Sequence, residues 1–133
     1  MLTARPAVEI FFPLRAVLKI DAHGYSPTLL HRILLMVGKG CPLYTRKSAT
    51  LEEIAQQPIV ISKTGSARKL IEKHLRPYRE NLNITMELTS VVMIKRFVAA
   101  GFGVSLISST FARDNVQRGE VRLLRIEGLD LWR

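Results

Sequence analysis

The chain has 133 residues, of which 47% are apolar, so it is long enough for one domain with a buried core. Twenty Lys and Arg residues against 11 Asp and Glu residues give a net charge of +9, which permits an anionic ligand, nucleic acid or a membrane surface as partner. No apolar run approaches the roughly 18 residues of a membrane span, no clean signal peptide is visible, and a single cysteine excludes an internal disulfide. These features predict a cytoplasmic protein without membrane contact.

The first 30 residues show no steady period and are left unassigned. Arg32–Val37 is a short, nearly all-apolar run of strand length. Residues 48–56 are predicted to form a short helix, in which Thr50 and Glu53 have the spacing of a capping box.

From residue 58 onwards, strands and helices alternate. Pro58–Ser62 is apolar on both faces, as in a buried parallel strand, whereas Ile84–Leu88 alternates strictly, as in a half-buried edge strand. The remaining predicted elements are a basic amphipathic helix after Ser66, a helix over 91–100 capped by Ser90, a strand over 103–107, a helix over 108–118 and a strand over 121–126. This order predicts an α/β fold with a mostly parallel sheet flanked by helices.

The helical spacing also predicts which side chains face the core. This set comprises Leu70, Ile71, Leu75, Val92, Phe97 and Val98. The basic residues of the first long helix lie on the opposite face and are not interleaved with aromatic residues, which favours a solvated surface over a nucleic-acid platform.

No catalytic or metal-binding motif is present in the sequence. There is no nucleophile elbow, no Walker loop, no zinc-binding helix and no Cys-x-x-Cys pair, and the three histidines lack the spacing of metal ligands. We therefore expect no enzyme activity, no metal and no cofactor.

Two polar loops remain as a candidate site. Ser62–Ser66 and Thr89–Ser90 each follow the carboxyl end of a predicted strand and precede a helix. In a parallel sheet these corners lie side by side, so their free N–H groups and hydroxyls suit a small anion. The alternative is that the serines and threonines only cap the helices.

Five segments resemble the effector-binding domain of LysR-type transcriptional regulators. They are Gly38–Leu43, Leu51–Ile61, Gly65–Ile71, Thr89–Ile107 and Leu131–Arg133. Their order and spacing extend over about 100 residues.

This resemblance implies one lobe of a two-lobed fold like that of the type 2 periplasmic binding proteins, with a small effector bound between the lobes. Residues 31–49 then correspond to the crossover into the second lobe, and residues 50–133 to that lobe. The implied effector-binding residues are Ser62, Thr64, Gly65, Ser66, Thr89, Ser90, Val91 and Phe102. The resemblance further implies homo-oligomers.

The family's winged helix-turn-helix and most of its first lobe find no match here, so we expect a partial domain that reaches DNA only through a part not in this sequence. A solute-binding lobe of a transport system is the main alternative; it shares the architecture but requires a secretion signal. An enzyme on the same fold is a third possibility, for which the loops offer only hydroxyl groups.

Overall fold

The computed structural model describes residues 32–129. The strands are β1 (Ile33–Gly38), β2 (Ser48–Ala49), β3 (Pro58–Ser62), β4 (Asn83–Leu88), β5 (Ser105–Ser108) and β6 (Val121–Ile126). The α-helices are α1 (Leu51–Ala55), α2 (Ser66–Leu75), α3 (Val91–Ala99) and α4 (Ser109–Gln117), and a 3₁₀ helix over Arg76–Asn81 extends α2.

The strands form a mixed sheet in which one strand opposes the rest. β1 pairs antiparallel with β5 on one side and with β6 on the other, β2 runs parallel to β6, and β3 runs parallel to β4. A parallel bridge between Ile59 and Val104 joins the two halves of the sheet. The spatial order is therefore β4-β3-β5-β1-β6-β2, and among these strands β1 alone runs against the common direction, which confirms the mostly parallel sheet.

Gly103 allows the junction between β3 and β5 to form. Its φ is +143°, and a Cβ at this position would lie 2.5 Å from the Pro58 carbonyl oxygen. Only glycine permits so close an approach. The bridge it allows is short and direct, with the Val60 N–H donating to Val104 O at 2.8 Å and the Val104 N–H donating to Pro58 O at 2.9 Å.

Helices cover both faces of the sheet. On one face, α1 and α2 bury Ile54, Ile71 and Leu75 against the sheet, and on the other, α3 and α4 bury Ile94, Val98, Ala112 and Val116. β3 contributes to both clusters, since Ile59 and Ile61 face the first and Val60 the second. The prediction of a strand buried on both faces is confirmed.

The sequence-based elements hold with few corrections. The predicted helix over 48–56 is shorter, because Ser48 and Ala49 pair with β6 and only Leu51–Ala55 is helical, although the Thr50–Glu53 capping box is present. β5 begins at Ser105 rather than at Gly103. Val92 was predicted to face the core and is 54% exposed, because Ile94 and Val98 define the inner face of α3. The unassigned residues 1–30 lie outside the described part of the chain.

The parallel strands bring three strand-to-helix corners to one edge of the sheet. β3, β4 and β5 end at Ser62, Leu88 and Ser108, and α2, α3 and α4 begin at Ser66, Val91 and Ser109. This edge carries the candidate site, as expected for an open α/β sheet.

Candidate functional site

A cleft of about 280 Å³ opens at the carboxyl edge of the sheet. All three corners contribute to its lining, which comprises Ser62, Thr64, Gly65, Ser66, Ala67, Arg68, Ile71, Thr89, Val91, Ile94, Ser105, Leu106, Ile107, Ser108 and Phe111. Its volume is close to the lower end of the range for small-molecule sites, about 300 Å³. Six of the eight residues predicted from the sequence line this cleft, and Ser90 and Phe102 do not.

The loop that follows β3 leaves the start of α2 uncapped. Gly65 is the N-cap residue with a φ of +105°, and no side chain accepts a hydrogen bond from the first turn. The Ser62 hydroxyl donates to the Thr64 carbonyl oxygen at 2.7 Å, so it stiffens the loop instead of capping the helix. The first N–H groups of α2 thus stand at the cleft, together with the positive end of the helix dipole.

The loop that follows β4 is different because its serine is engaged. Ser90 Oγ accepts from the Met93 N–H at 3.2 Å and caps α3. For Ser90 the capping interpretation is therefore correct, and its neighbours Thr89 and Val91 are the residues that reach the cleft.

Phe102 lies at the other end of α3 from the cleft. It follows the carboxyl end of the helix, its ring stands 5.8 Å from that of Phe97, and it is 65% exposed. The aromatic residue in the cleft is Phe111, in the first turn of α4. Phe111 belongs to the third strand-to-helix corner, after β5, which was not part of the candidate site predicted from the sequence.

Arg68 supplies less free positive charge than its position suggests. Its guanidinium bonds Glu72 at 2.6 Å and Glu87 at 2.8 Å, and it donates to the Ser62 carbonyl oxygen at 2.7 Å. Burial acts to lower the pKa of Arg68, but the hydrogen bonds to Glu87 and Glu72 outweigh it and raise the pKa. Arg68 therefore stays charged, and it ties together the end of β3, the start of α2 and the edge strand β4.

The interior of the cleft is apolar except for two serines. Ile71, Ile94 and Leu106 belong to the walls, while Ser105 and Ser108 on β5 are 1% and 0% exposed. A polar mouth over an apolar interior suits a small molecule with an anionic end and a less polar body.

The described part of the chain places no cluster of metal-ligating side chains at the cleft. Within residues 32–129, no three His, Cys, Asp or Glu side chains are grouped so that they could hold a metal ion. Burial raises the pKa of the Cys41 thiol, which disfavours the nucleophilic thiolate. No helix in the same range is long and apolar enough to cross a membrane.

Comparison with known proteins identifies the class to which this fold and cleft belong. The chain matches the LysR substrate binding domain family over residues 19–133, so it belongs to that family. The match begins before residue 31, where the resemblance seen in the sequence began. The chain spans between 18% and 40% of the length of the first curated relatives that it matches.

Individual proteins resemble this chain in sequence or in fold. The HTH-type transcriptional activator CmpR of Synechocystis is 27% identical over 101 residues, which cover 74% of this chain and 33% of CmpR. The regulatory domain of Synechocystis CcmR, solved in complex with 2-PG, superposes with a TM-score of 0.63 at 19% identity over 73% of this chain and 47% of that one. The effector binding domain of QuiR, solved in complex with shikimate, gives 0.63 at 18% identity over 77% of this chain and 50% of that one. The two structures share the fold of this lobe.

Proposed function

We propose that the chain is an effector-binding lobe of a LysR-type transcriptional regulator and that its cleft binds a small anionic effector. The observation that carries this proposal is the uncapped amino end of α2, which faces a cleft at the carboxyl edge of the sheet. At a capped helix end, such as that of α3, one of the first N–H groups already donates to a side chain and is not available to a ligand.

The anion is held by dipoles rather than by a paired cation. The first N–H groups of α2 are preoriented donors, and the helix dipole adds roughly half a positive charge at their end. Arg68 is paired with two glutamates, so it contributes by fixing the Ser62–Ser66 loop. Lys63 and Lys69 are exposed nearby and raise the local concentration of anions.

The relatives support this choice of ligand class. CcmR was solved with 2-PG and QuiR with shikimate, which is a hydroxylated ring carboxylate. We infer that an effector of this lobe is likewise a small carboxylate or phosphate. In this assignment residues 31–49 form the crossover and residues 50–133 the second lobe, and sequence-specific DNA contacts are made by a separate part of the regulator.

We also propose that the lobe self-associates. Val92, Met93 and Met86 are large apolar side chains that are 54%, 39% and 38% exposed on α3 and on the edge strand β4. Exposed apolar surface of this kind favours association. Sedimentation velocity of the purified chain should show dimers or larger species, and a monomer that persists at high concentration would contradict the proposal.

Two variants of one residue test the effector site. Ser66 is the first residue of α2, a position where proline is tolerated, so Ser66→Pro removes one N–H donor without breaking the helix. Ser66→Ala keeps that donor and removes only the hydroxyl. We expect shikimate and inorganic phosphate to shift the backbone amide NMR signals of residues 62–68 and 89–93 in the wild type. Ser66→Pro should weaken binding by about tenfold or more, since one hydrogen bond to a charged group contributes about 1.5–3 kcal/mol, and Ser66→Ala should weaken it much less.

The basic outer face of α2 serves as the internal control. Lys73 on α2 and Arg76 at the start of the following 3₁₀ helix are exposed, and neither lines the cleft. If the shifts concentrate there, and if both Ser66 variants bind as the wild type does, surface charge accounts for the binding and the proposed cleft is wrong.

A further inference from the structure

Ser105 has a buried hydroxyl without a hydrogen-bond partner. The residue is 1% exposed, and its Oγ finds no donor or acceptor among the residues that the structure describes. Leaving a hydroxyl unpaired in the interior is unfavourable, and buried polar groups without partners are rare in folded proteins. A serine at this position therefore requires an explanation.

The surroundings of Ser105 would suit an apolar residue. It stands opposite Met36 across the β1–β5 pair, and the side chains on that face of the sheet include Val60, Ile94 and Ile107. Alanine would fill the same space without an unpaired hydroxyl. Folding alone does not account for the serine.

Ser105, the first residue of β5, also lines the cleft. Its hydroxyl can occupy three staggered positions about χ1, so its direction can change without any movement of the backbone. Of the two serines in the cleft interior, Ser108 is engaged in interactions of its own, whereas Ser105 is the one whose hydroxyl has no partner within the described range.

We infer that Ser105 is a specificity-determining residue that hydrogen-bonds a hydroxyl or carbonyl group on the body of the effector. This inference rests on the proposed function, and it narrows the effector class. The anionic end meets the start of α2, and a second polar group, farther along the ligand, meets Ser105. A site with such a group discriminates against analogues that lack the matching oxygen, because the buried hydroxyl then stays unpaired.

The test combines one variant with a matched pair of ligands. Shikimate and 1-cyclohexenecarboxylate share the ring and the carboxylate and differ in the ring hydroxyls; 3-hydroxybenzoate and benzoate form a second pair. The full chain and its Ser105→Ala variant are titrated with each compound by NMR. The thermal midpoint of both proteins is measured without ligand.

We expect opposite effects on stability and on selectivity. Ser105→Ala should keep or raise the midpoint without ligand, because it removes an unpaired hydroxyl. It should weaken binding of the hydroxylated member of a pair by about threefold to tenfold and leave the other member unchanged. Ser108→Ala is the control, since its hydroxyl belongs to an equally buried residue that is already engaged, and its midpoint should fall.

Each contrary result has a distinct meaning. A lower midpoint for Ser105→Ala would show that the hydroxyl is structural, and an equal loss for both members of a pair would show an effect of shape; either result overturns the inference. Binding with unchanged selectivity also overturns the inference but leaves the proposed function intact. If the wild type binds none of the four compounds, the inference fails; if it also binds no inorganic phosphate, the proposed function fails with it.

Discussion

Replacing Arg68 with alanine should destabilise the lobe by about 2 kcal/mol. The Arg68 side chain is 11% exposed and connects Glu72, Glu87 and the Ser62 carbonyl oxygen. Removing one partner of a fully buried ion pair costs about 3–5 kcal/mol. Here the two carboxylates are 31% and 37% exposed, so water replaces part of the lost interaction and the lower value follows.

Arg79 provides the matched control. It bonds the same Glu72 at 2.7 Å, but its side chain is 50% exposed and it makes no contact with Glu87 or with the Ser62 carbonyl. Arg79→Ala should therefore cost less than about 1 kcal/mol, as exposed pairs do. Both variants lose one positive charge, which removes net charge as an explanation for any difference.

The measurement is urea unfolding followed by circular dichroism, together with a thermal melt. A loss of 2 kcal/mol corresponds to a decrease in Tm of about 7 °C for a chain of 133 residues. Arg68→Ala should also weaken phosphate binding, since the Ser62–Ser66 loop loses its attachment to β4. Equal destabilisation by the two variants would refute the argument that Arg68 is the structural link of the cleft.

Two further predictions concern packing and acid stability. Gly38→Ala should lower the free energy of unfolding by about 3 kcal/mol or more, because a Cβ there would lie 2.2 Å from the Val98 carbonyl oxygen. A Cβ on Gly40 has no atom within 4 Å, so Gly40→Ala should change that free energy by less than about 0.5 kcal/mol. Thermal melts compare the two variants, and equal costs would contradict the packing. The hydrogen bond from Arg68 lowers the pKa of Glu72 below its usual 4.5, so this stabilising contribution is complete above that pH and is lost as the pH falls through the lower pKa of the folded state. Urea midpoints between about pH 6 and pH 3 should therefore fall more steeply for the wild type than for Glu72→Gln, and parallel curves would count against the pair.

The sequence predicts much of this fold because most of its signals are local. The Thr50–Glu53 capping box and the serine before α3 are contacts within a few residues, and the apolar run at Ile59–Ile61 is a pattern of consecutive residues; each is found in the structure. The two-residue strand β2 escaped prediction, since only its pairing with β6 distinguishes it from the start of a helix. The direction of β1 escaped for the same reason, because direction is a property of a strand's partners.

The sequence predicts where the cleft lies better than it predicts which side chains line it. Chain order alone brings the corners after β3 and β4 together, and six of the eight predicted residues lie there. Whether a serine caps a helix or faces the cleft depends on loop geometry, which distinguishes Ser90 from Ser66. Ser105 could not be identified from the sequence, since a missing hydrogen bond becomes visible only when all neighbours are in place.

The antiparallel strand at the centre of the sheet has a consequence for folding during synthesis. β1 is made first among the described strands, yet Ile33 pairs with Ser108 and Gly38 pairs with Val121. While the ribosome adds the intervening residues, an apolar segment that ends up wholly buried lacks the two strands that flank it in the described part of the chain. Contacts this distant in sequence slow folding and prolong the exposure of aggregation-prone segments. The nascent chain should therefore depend on chaperones until β5 and β6 emerge, whereas the β3–α2–β4 unit can form earlier from neighbouring residues.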